Sequence, residues 1–388
     1  MSCFSPPPGA FAAADLCVKC GLCLPYCPTY RLSRDEAESP RGRLALMQGW
    51  AEGKLQATPA LRTHLGNCLS CRRCEVVCPA KVPYGRLLDD FRAAQPQAAD
   101  GPRGRLARKI LGDAVWRRRL ADLARGYGRS AWRPWLRRWV PAPLEALANQ
   151  PAPLQRRTFY PAQGPETARV ALFVGCSGDW LDADTVRAAI VALTRLGVAV
   201  ALPAGQDCCG ALHWHAGDRS AAEPLLAANR RAFAGTDAVV SCASGCGAFL
   251  AEQGGLGRPV LDVSRFLLDL SWPGDVALKP VPVNVVLHTP CTLRDAAAPA
   301  GLLRKIPGLG LSLLPDQPAC CGAAGTYGLD RADWAARLRD EIVGSVADAD
   351  VVATSNVGCA GHLRAGLAEA GKGAVEVLHP VALLARSL

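Results

Sequence analysis

Two copies of one cysteine pattern dominate the first ninety residues: Cys17-x2-Cys20-x2-Cys23-x3-Cys27-Pro28 and Cys68-x2-Cys71-x2-Cys74-x3-Cys78-Pro79. Two residues between successive thiolates let three sulfurs converge from one tight loop, and the fourth cysteine cannot reach the same point. Zinc accepts C-x2-C pairs, but a zinc site closes at four ligands. It leaves three evenly stepped cysteines followed by Cys-Pro, twice over, unexplained.

The pattern is that of [4Fe–4S] clusters in the bacterial ferredoxin arrangement, where the fourth cysteine ligates the other cluster. On that basis Cys17, Cys20, Cys23 and Cys78 hold one cluster, and Cys68, Cys71, Cys74 and Cys27 hold the second. The crossing brings the two clusters close together. Between the motifs, Pro40 to Met47 carries apolar residues at helical spacing that continue to Trp50.

Eighteen cysteines in 388 residues would suit a disulfide-rich secreted protein only in a much shorter chain. Residues Met1 to Gly9 also lack the basic segment and apolar run of a signal peptide. The thiols are therefore expected reduced, in the cytoplasm. Arg, Asp, Gly and Pro interrupt every apolar run before it reaches 18 residues, so an ordinary transmembrane helix is not expected.

The length implies two or three domains. We divide the chain into residues 1–90, a small helical bis-[4Fe–4S] ferredoxin-like domain; 91–168, an Arg/Trp-rich helical connector; and two α/β units, 169–280 and 281–388. The whole is an α+β multidomain chain. Pro151-Ala152-Pro153 and the stretch Pro161 to Pro165 read as linker.

From Arg169 short apolar runs (Val170 to Val174, Val198 to Leu202, Asp237 to Ser241) alternate with helical stretches at Thr185 to Leu196 and Ala221 to Phe233. That alternation predicts β-α-β units. The order recurs after Val283, with strands to Leu287, over Leu311 to Leu314 and over Val351 to Ala353, and a helix over Arg331 to Val343. Cys176 and Cys291 are 115 residues apart, Cys208 and Cys320 are 112, and Cys246 and Cys359 are 113. Landmarks at near-constant offset mark an internal duplication.

The duplicated half carries Cys176, Cys208-Cys209-Gly210, Cys242 and Cys246 in its first repeat, and Cys291, Cys320-Cys321-Gly322 and Cys359 in its second. Each follows an apolar strand, and ligands of α/β sheets bind outside the carboxyl ends of the strands. Side chains of adjacent cysteines diverge, yet a following glycine permits a turn that presents both sulfurs to a body larger than one ion. A buried free cysteine can be a mere small hydrophobe, and a vicinal pair can form a strained disulfide. Two pairs in register favour one or two further iron–sulfur clusters.

Four histidines lie near these cysteines. His213 and His215 follow Cys-Cys-Gly, His288 precedes Cys291, and His362 follows Cys359. They could face a cluster, a quinone or a proton path, but supporting roles are favoured. The net charge of +10 is concentrated in Arg92 to Arg157, where fifteen Lys or Arg oppose four acids among Trp116, Trp132, Trp135 and Trp139. Such a segment suits an anionic lipid surface or a partner protein, with a solvated basic linker as the plain alternative. Nucleic acid is not an expected partner. No G-x-G-x-x-G dinucleotide loop occurs at Gly175 to Gly178 or at Gly205.

Several stretches extend beyond the cysteines: Cys17-Val-Lys-Cys-Gly-Leu-Cys to Cys27-Pro-Thr-Tyr30, Ser39-Pro-Arg-Gly-Arg43, Cys68-Leu-Ser-Cys71, Ala243-Ser-Gly-Cys-Gly-Ala-Phe249, Cys320-Cys-Gly-Ala-Ala-Gly-Thr-Tyr327 and Asn356-Val-Gly-Cys359. With them the whole chain resembles the glycolate oxidase (glycolate dehydrogenase) iron–sulfur subunits, in which a double-cluster domain precedes two cysteine-rich CCG domains. That resemblance implies a subunit relaying electrons from FAD-containing subunits, which oxidise glycolate to glyoxylate, toward a membrane quinone. It implies a peripheral location at the inner face of the cytoplasmic membrane.

The broader CCG pattern ends in two nearby cysteines. Both are kept once, as Cys242 and Cys246, while Ser355 takes the first place in the second repeat. Five possible ligands are left in one repeat and four in the other. Rival readings are the equivalent subunit of a lactate or glycerol-3-phosphate dehydrogenase complex, and a heterodisulfide-reductase-like enzyme acting on a disulfide itself.

Overall fold

A computed structural model describes residues 9, 11–95, 101–136, 138–139, 148, 152–155, 157–293, 295–314 and 320–388. The first eight residues and Pro151, on which the leader and linker readings partly rest, lie outside the described residues, as does part of the Arg/Trp-rich segment.

The N-terminal unit is built from short helices. The predicted helix runs over Pro40–Ala51: Ser39 caps it by accepting the Gly42 N–H at 2.9 Å, and Pro40 occupies the first turn, where its missing N–H costs nothing. Leu44, Met47 and Trp50 recur on its inner face. They pack with Leu61 and Leu65 from helix Pro59–Gly66 and with Leu87, Leu88 and Phe91 from helix Tyr84–Ala94. Trp50 stands edge-on to Phe11 and Phe91, at centroid distances of 5.8 and 5.0 Å.

The second half holds two sheets. The first orders its strands β1-β3-β2-β4-β5, with β1 Phe159–Tyr160, β2 Ala168–Phe173, β3 Val198–Ala201, β4 Val239–Ser241 and β5 Val260–Asp262. The second orders them β7-β6-β8-β9, with β6 Asn284–His288, β7 Gly310–Leu313, β8 Val351–Thr354 and β9 Glu376–Leu378. All pairings are parallel except β1 with β3. The four-stranded parallel order is therefore the same in both repeats, as the duplication predicts. β1 lies inside the stretch read as connector, yet it is hydrogen-bonded into the first sheet.

One apolar core joins the repeats. Helix Ala183–Arg195 of the first packs on helix Pro380–Ser387 of the second, and Leu193, Leu196, Leu302, Leu383 and Leu384 are fully buried. Each such leucine contributes roughly 2 kcal/mol of burial. The basic segment forms helices Pro102–Gly112 and Ala114–Arg129, the first tied down where Asp330 accepts the Gly101 and Gly104 amides at 2.9 and 3.1 Å. Among the described residues no helix is long and apolar enough to cross a membrane.

Candidate metal centres

In the N-terminal unit each C-x2-C step is wound through left-handed backbone. Lys19 and Gly21 have φ of 57° and 85°, and their counterparts 51 residues on, Ser70 and Arg72, have 54° and 56°. Three of these four carry side chains, so the turns cost conformational energy that the packed unit supplies.

The eight thiols divide between two clefts. Cys17, Cys20, Cys23 and Cys78 line one, whose empty volume with its mouth is about 480 Å³, alongside Pro40 and Arg41. Cys27, Cys68 and Cys71 line the other, of about 300 Å³, with Arg43 and Tyr84, and Cys74 lines both. Tyr84 donates its hydroxyl to the Cys68 sulfur at 3.4 Å, and Thr29 stands 3.3 Å from that of Cys27. Arg43 is fully buried behind this second cleft. It donates to Thr29 Oγ1 at 2.9 Å and to the backbone oxygens of Glu38 and His64, and it pairs with the buried Glu38 carboxylate. Pro-Arg-Gly-Arg was legible as a shared stretch; that its last arginine supports the cleft was not.

In the first repeat Cys176, Cys208, Cys209 and Cys246 come together. Cys246 lies in the first turn of helix Ser244–Gln253. Cys176 and Cys209 face Cys208 and draw its thiol well below the usual range. The Cys208 amide donates to Asp207 at 2.7 Å, and Asp207 pairs with Arg117, which favours the thiolates of Cys176 and Cys208. No sequence signal tied Arg117 to these cysteines.

The structure does not bring Cys242 into that set. It directly follows β4, with its side chain in the core between the repeats, where burial and then Asp182 and Asp262 push its thiol up. A cysteine directly after a strand can point to either side of the sheet end, and Cys242 points away from Cys246. Ser355, its counterpart, is also fully buried, and its carbonyl accepts the Ser244 amide at 2.9 Å.

The second repeat assembles the corresponding four: Cys320 faces Cys291, and Cys321 faces Cys359. Asn356 caps helix Val357–Glu369 by accepting the Gly358 and Cys359 amides at 2.9 and 3.3 Å. Gly210 and Gly322, after the two Cys-Cys pairs, sit at φ of 89° and 82°, the turn that residue was expected to permit. A thiol of one repeat has a neighbour in the N-terminal unit, since Cys71 lies against Cys320.

The histidines have partners of their own. His213 is within 3.4 Å of Arg108, His215 pairs with Asp89 at 3.0 Å, His288 meets Thr354 at 2.9 Å and His362 meets the Ala335 carbonyl at 3.1 Å.

The donor chemistry fits iron–sulfur clusters. Mutual contact and burial push the thiols of Cys176, Cys209, Cys320 and Cys359 up, so these hold their protons until a cation replaces them, and soft thiolate sets are what such clusters take. Burial pushes the thiols of Cys23, Cys27 and Cys74 up in the same way.

Comparison with known proteins finds two families along the chain. The family described as a 4Fe-4S dicluster domain matches residues 13–82, and the family described as a cysteine-rich domain matches 170–251 and 285–364. The chain is 32% identical to the "probable glycolate oxidase iron-sulfur subunit" of Bacillus subtilis, over 95% of this chain and 92% of that protein. It is 33% identical to the glycolate oxidase iron-sulfur subunit of Escherichia coli, over 96% and 93%. It is 26% identical to a subunit of the fumarate reductase (CoM/CoB) of Methanothermobacter marburgensis, over 95% of this chain and 71% of the relative. Similarity that runs through the dicluster unit and both cysteine repeats places the chain in the family of glycolate oxidase iron–sulfur subunits.

Proposed function

We propose that this chain is the electron-transferring subunit of a glycolate-oxidising complex, taking electrons from flavin-bearing subunits that convert glycolate to glyoxylate. Whole-length similarity to glycolate oxidase iron–sulfur subunits carries the reading. The substrate is oxidised on the partner subunits. The role of this chain is to hold several one-electron centres at fixed separation inside an apolar matrix.

Within the reading, Cys17, Cys20, Cys23 and Cys78 hold one [4Fe–4S] cluster, and Cys27, Cys68, Cys71 and Cys74 hold the other. Cys176, Cys208, Cys209 and Cys246 hold a third iron–sulfur centre, and Cys291, Cys320, Cys321 and Cys359 a fourth. Iron and sulfide per chain, measured on anaerobically purified protein, test this assignment. More than eight irons are expected, and eight would confine the clusters to the N-terminal unit.

The relay itself is tested by adding glycolate to the purified chain with and without the flavin subunits. Bleaching of the cluster absorbance is expected only with them. Bleaching by glycolate alone would overturn the reading.

The delivery end is a peripheral membrane surface carrying a quinone. Trp132, Trp135 and Trp139 are 71%, 62% and 73% exposed, and Arg138 stacks over the rings of the last two. Exposed indoles among arginines suit the boundary of an anionic bilayer. Sedimentation with anionic vesicles at low salt checks this, and no binding there would reject it.

A further inference from the structure

The interface between the N-terminal unit and the repeats is uneven. On the first-repeat side it is polar and salt-bridged: Arg72 pairs with Glu252 at 2.6 Å, Asp89 with His215 at 3.0 Å, and Arg92 donates to the His215 carbonyl at 3.1 Å. Among the described residues no cysteine takes part in those contacts. On the second-repeat side the contact is apolar and includes sulfur from both units. Leu69 and Cys71 pack with Cys320, Tyr327, Ala335 and Leu338 in one buried cluster.

This contact is clamped at its edges. Arg331 donates to Asn67 at 2.6 Å, one residue before Cys68, and Arg31 pairs with Glu341 at 2.9 Å. The thiol of Cys71 faces that of Cys320, while Cys320 also faces Cys291. The Cys71–Cys320 pair therefore bridges the thiols lining the second cleft and those of the second repeat. The thiols of the first repeat have Arg117 as their charged neighbour instead.

We propose that the Cys71–Cys320 contact is the electron junction between the N-terminal unit and the repeats, so that electrons cross to the second repeat and not directly to the first. The inference rests on reading both thiol sets as cluster ligands. The step moves one electron and nothing else. The set formed by Cys27, Cys68, Cys71 and Cys74 gives it up as the set of Cys291, Cys320, Cys321 and Cys359 takes it, or the reverse. No bond forms or breaks, and no proton moves. A buried wall of Leu69, Tyr327 and Leu338 suits such a step, because burial leaves little solvent to reorganise around the changing charge.

The test is electron paramagnetic resonance of the anaerobic, fully loaded chain during a dithionite titration. The expected result is a magnetic splitting, added to that between the two N-terminal clusters, that grows as the second cluster and the second-repeat centre become reduced together. Cys320→Ser should abolish this added splitting and keep that of the two N-terminal clusters, whereas Cys208→Ser, which disturbs the first repeat, should leave both in place. Loss of the added splitting in Cys208→Ser with retention in Cys320→Ser would overturn the proposal. So would parent protein carrying its full iron whose splitting does not exceed that of the two N-terminal clusters alone. Should Cys320→Ser fail to fold, the titration of the parent protein decides. An iron count of eight would instead remove the cluster reading of the repeats on which the proposal rests.

Discussion

Arg43 and Glu38 form an ion pair with both side chains buried, behind the cleft lined by Cys27, Cys68 and Cys71. Glu38 also accepts from Asn67 and meets His64, each at 2.8 Å, so one carboxylate ties Arg43 to the segment that leads into Cys68. Replacing Arg43 with Met would strand that carboxylate in the interior. Breaking a buried pair from one side costs about 3–5 kcal/mol. Arg43→Met is expected to lower the thermal midpoint sharply and to lose iron from the N-terminal unit, while Arg41→Met, at the rim of the other cleft, should lower it far less.

Gly210 and Gly322 offer a paired comparison. Both are left-handed, so alanine at either costs roughly 1–2 kcal/mol in the backbone alone. Their surroundings differ: a Cβ at Gly322 would lie 2.6 Å from the Ala335 carbonyl oxygen, whereas at Gly210 it would lie 3.3 Å from that of Ala222. Gly322→Ala should therefore destabilise more than Gly210→Ala. Thermal midpoints of the two variants under anaerobic conditions check the order, and equal losses would count against it.

How far the sequence reached follows from what is local. Fully buried parallel strands read as unbroken apolar runs, so β2, β3, β6 and β8 were legible to within a residue or two. β5 and β9 are three residues each, too short to show a period, and β1 contributes two residues. Spacing brought out the cysteine sets, because C-x2-C and Cys-Cys-Gly constrain their own turns. It did not show that Cys242 points into the core, since neither side of a strand end is written in the residue itself. The Cys71–Cys320 contact joins different domains, and no local pattern carries it.

Arg117 provides an electrostatic prediction for the first repeat. Its positive charge favours the thiolates of Cys176 and Cys208. A neighbouring cation likewise favours the added electron of a reduced centre. Arg117→Gln should make the potential of the first-repeat centre more negative, on the order of tens of millivolts, and leave that of the second repeat in place. Potentiometric titration followed by paramagnetic resonance checks it. A shift in the second-repeat signal alone would contradict this placement of the charge.

The core between the repeats holds three titratable groups shifted by burial. Burial raises the carboxyls of Asp182 and Asp262 to about 6 and lowers the imidazole of His379 to about 3. Each carboxyl, raised above its ordinary value, costs stability above pH 6, where the folded chain must bury a charge. That cost fades as pH falls and the folded state takes up the proton. His379 works in the opposite sense. Its folded value is depressed, so stability is lost as pH falls below 6.5 and the unfolded chain alone becomes protonated. Asp262 caps helix Val263–Asp269 by accepting the Ser264 amide at 2.8 Å, a role asparagine can keep. Asp262→Asn should thus be more stable than the parent at pH 7.5 by about 1–3 kcal/mol, and the gap should narrow toward pH 5. Thermal midpoints of both proteins across that range test the sign. A gap that widens on acidification would mean that Asp262 is stabilised as the carboxylate.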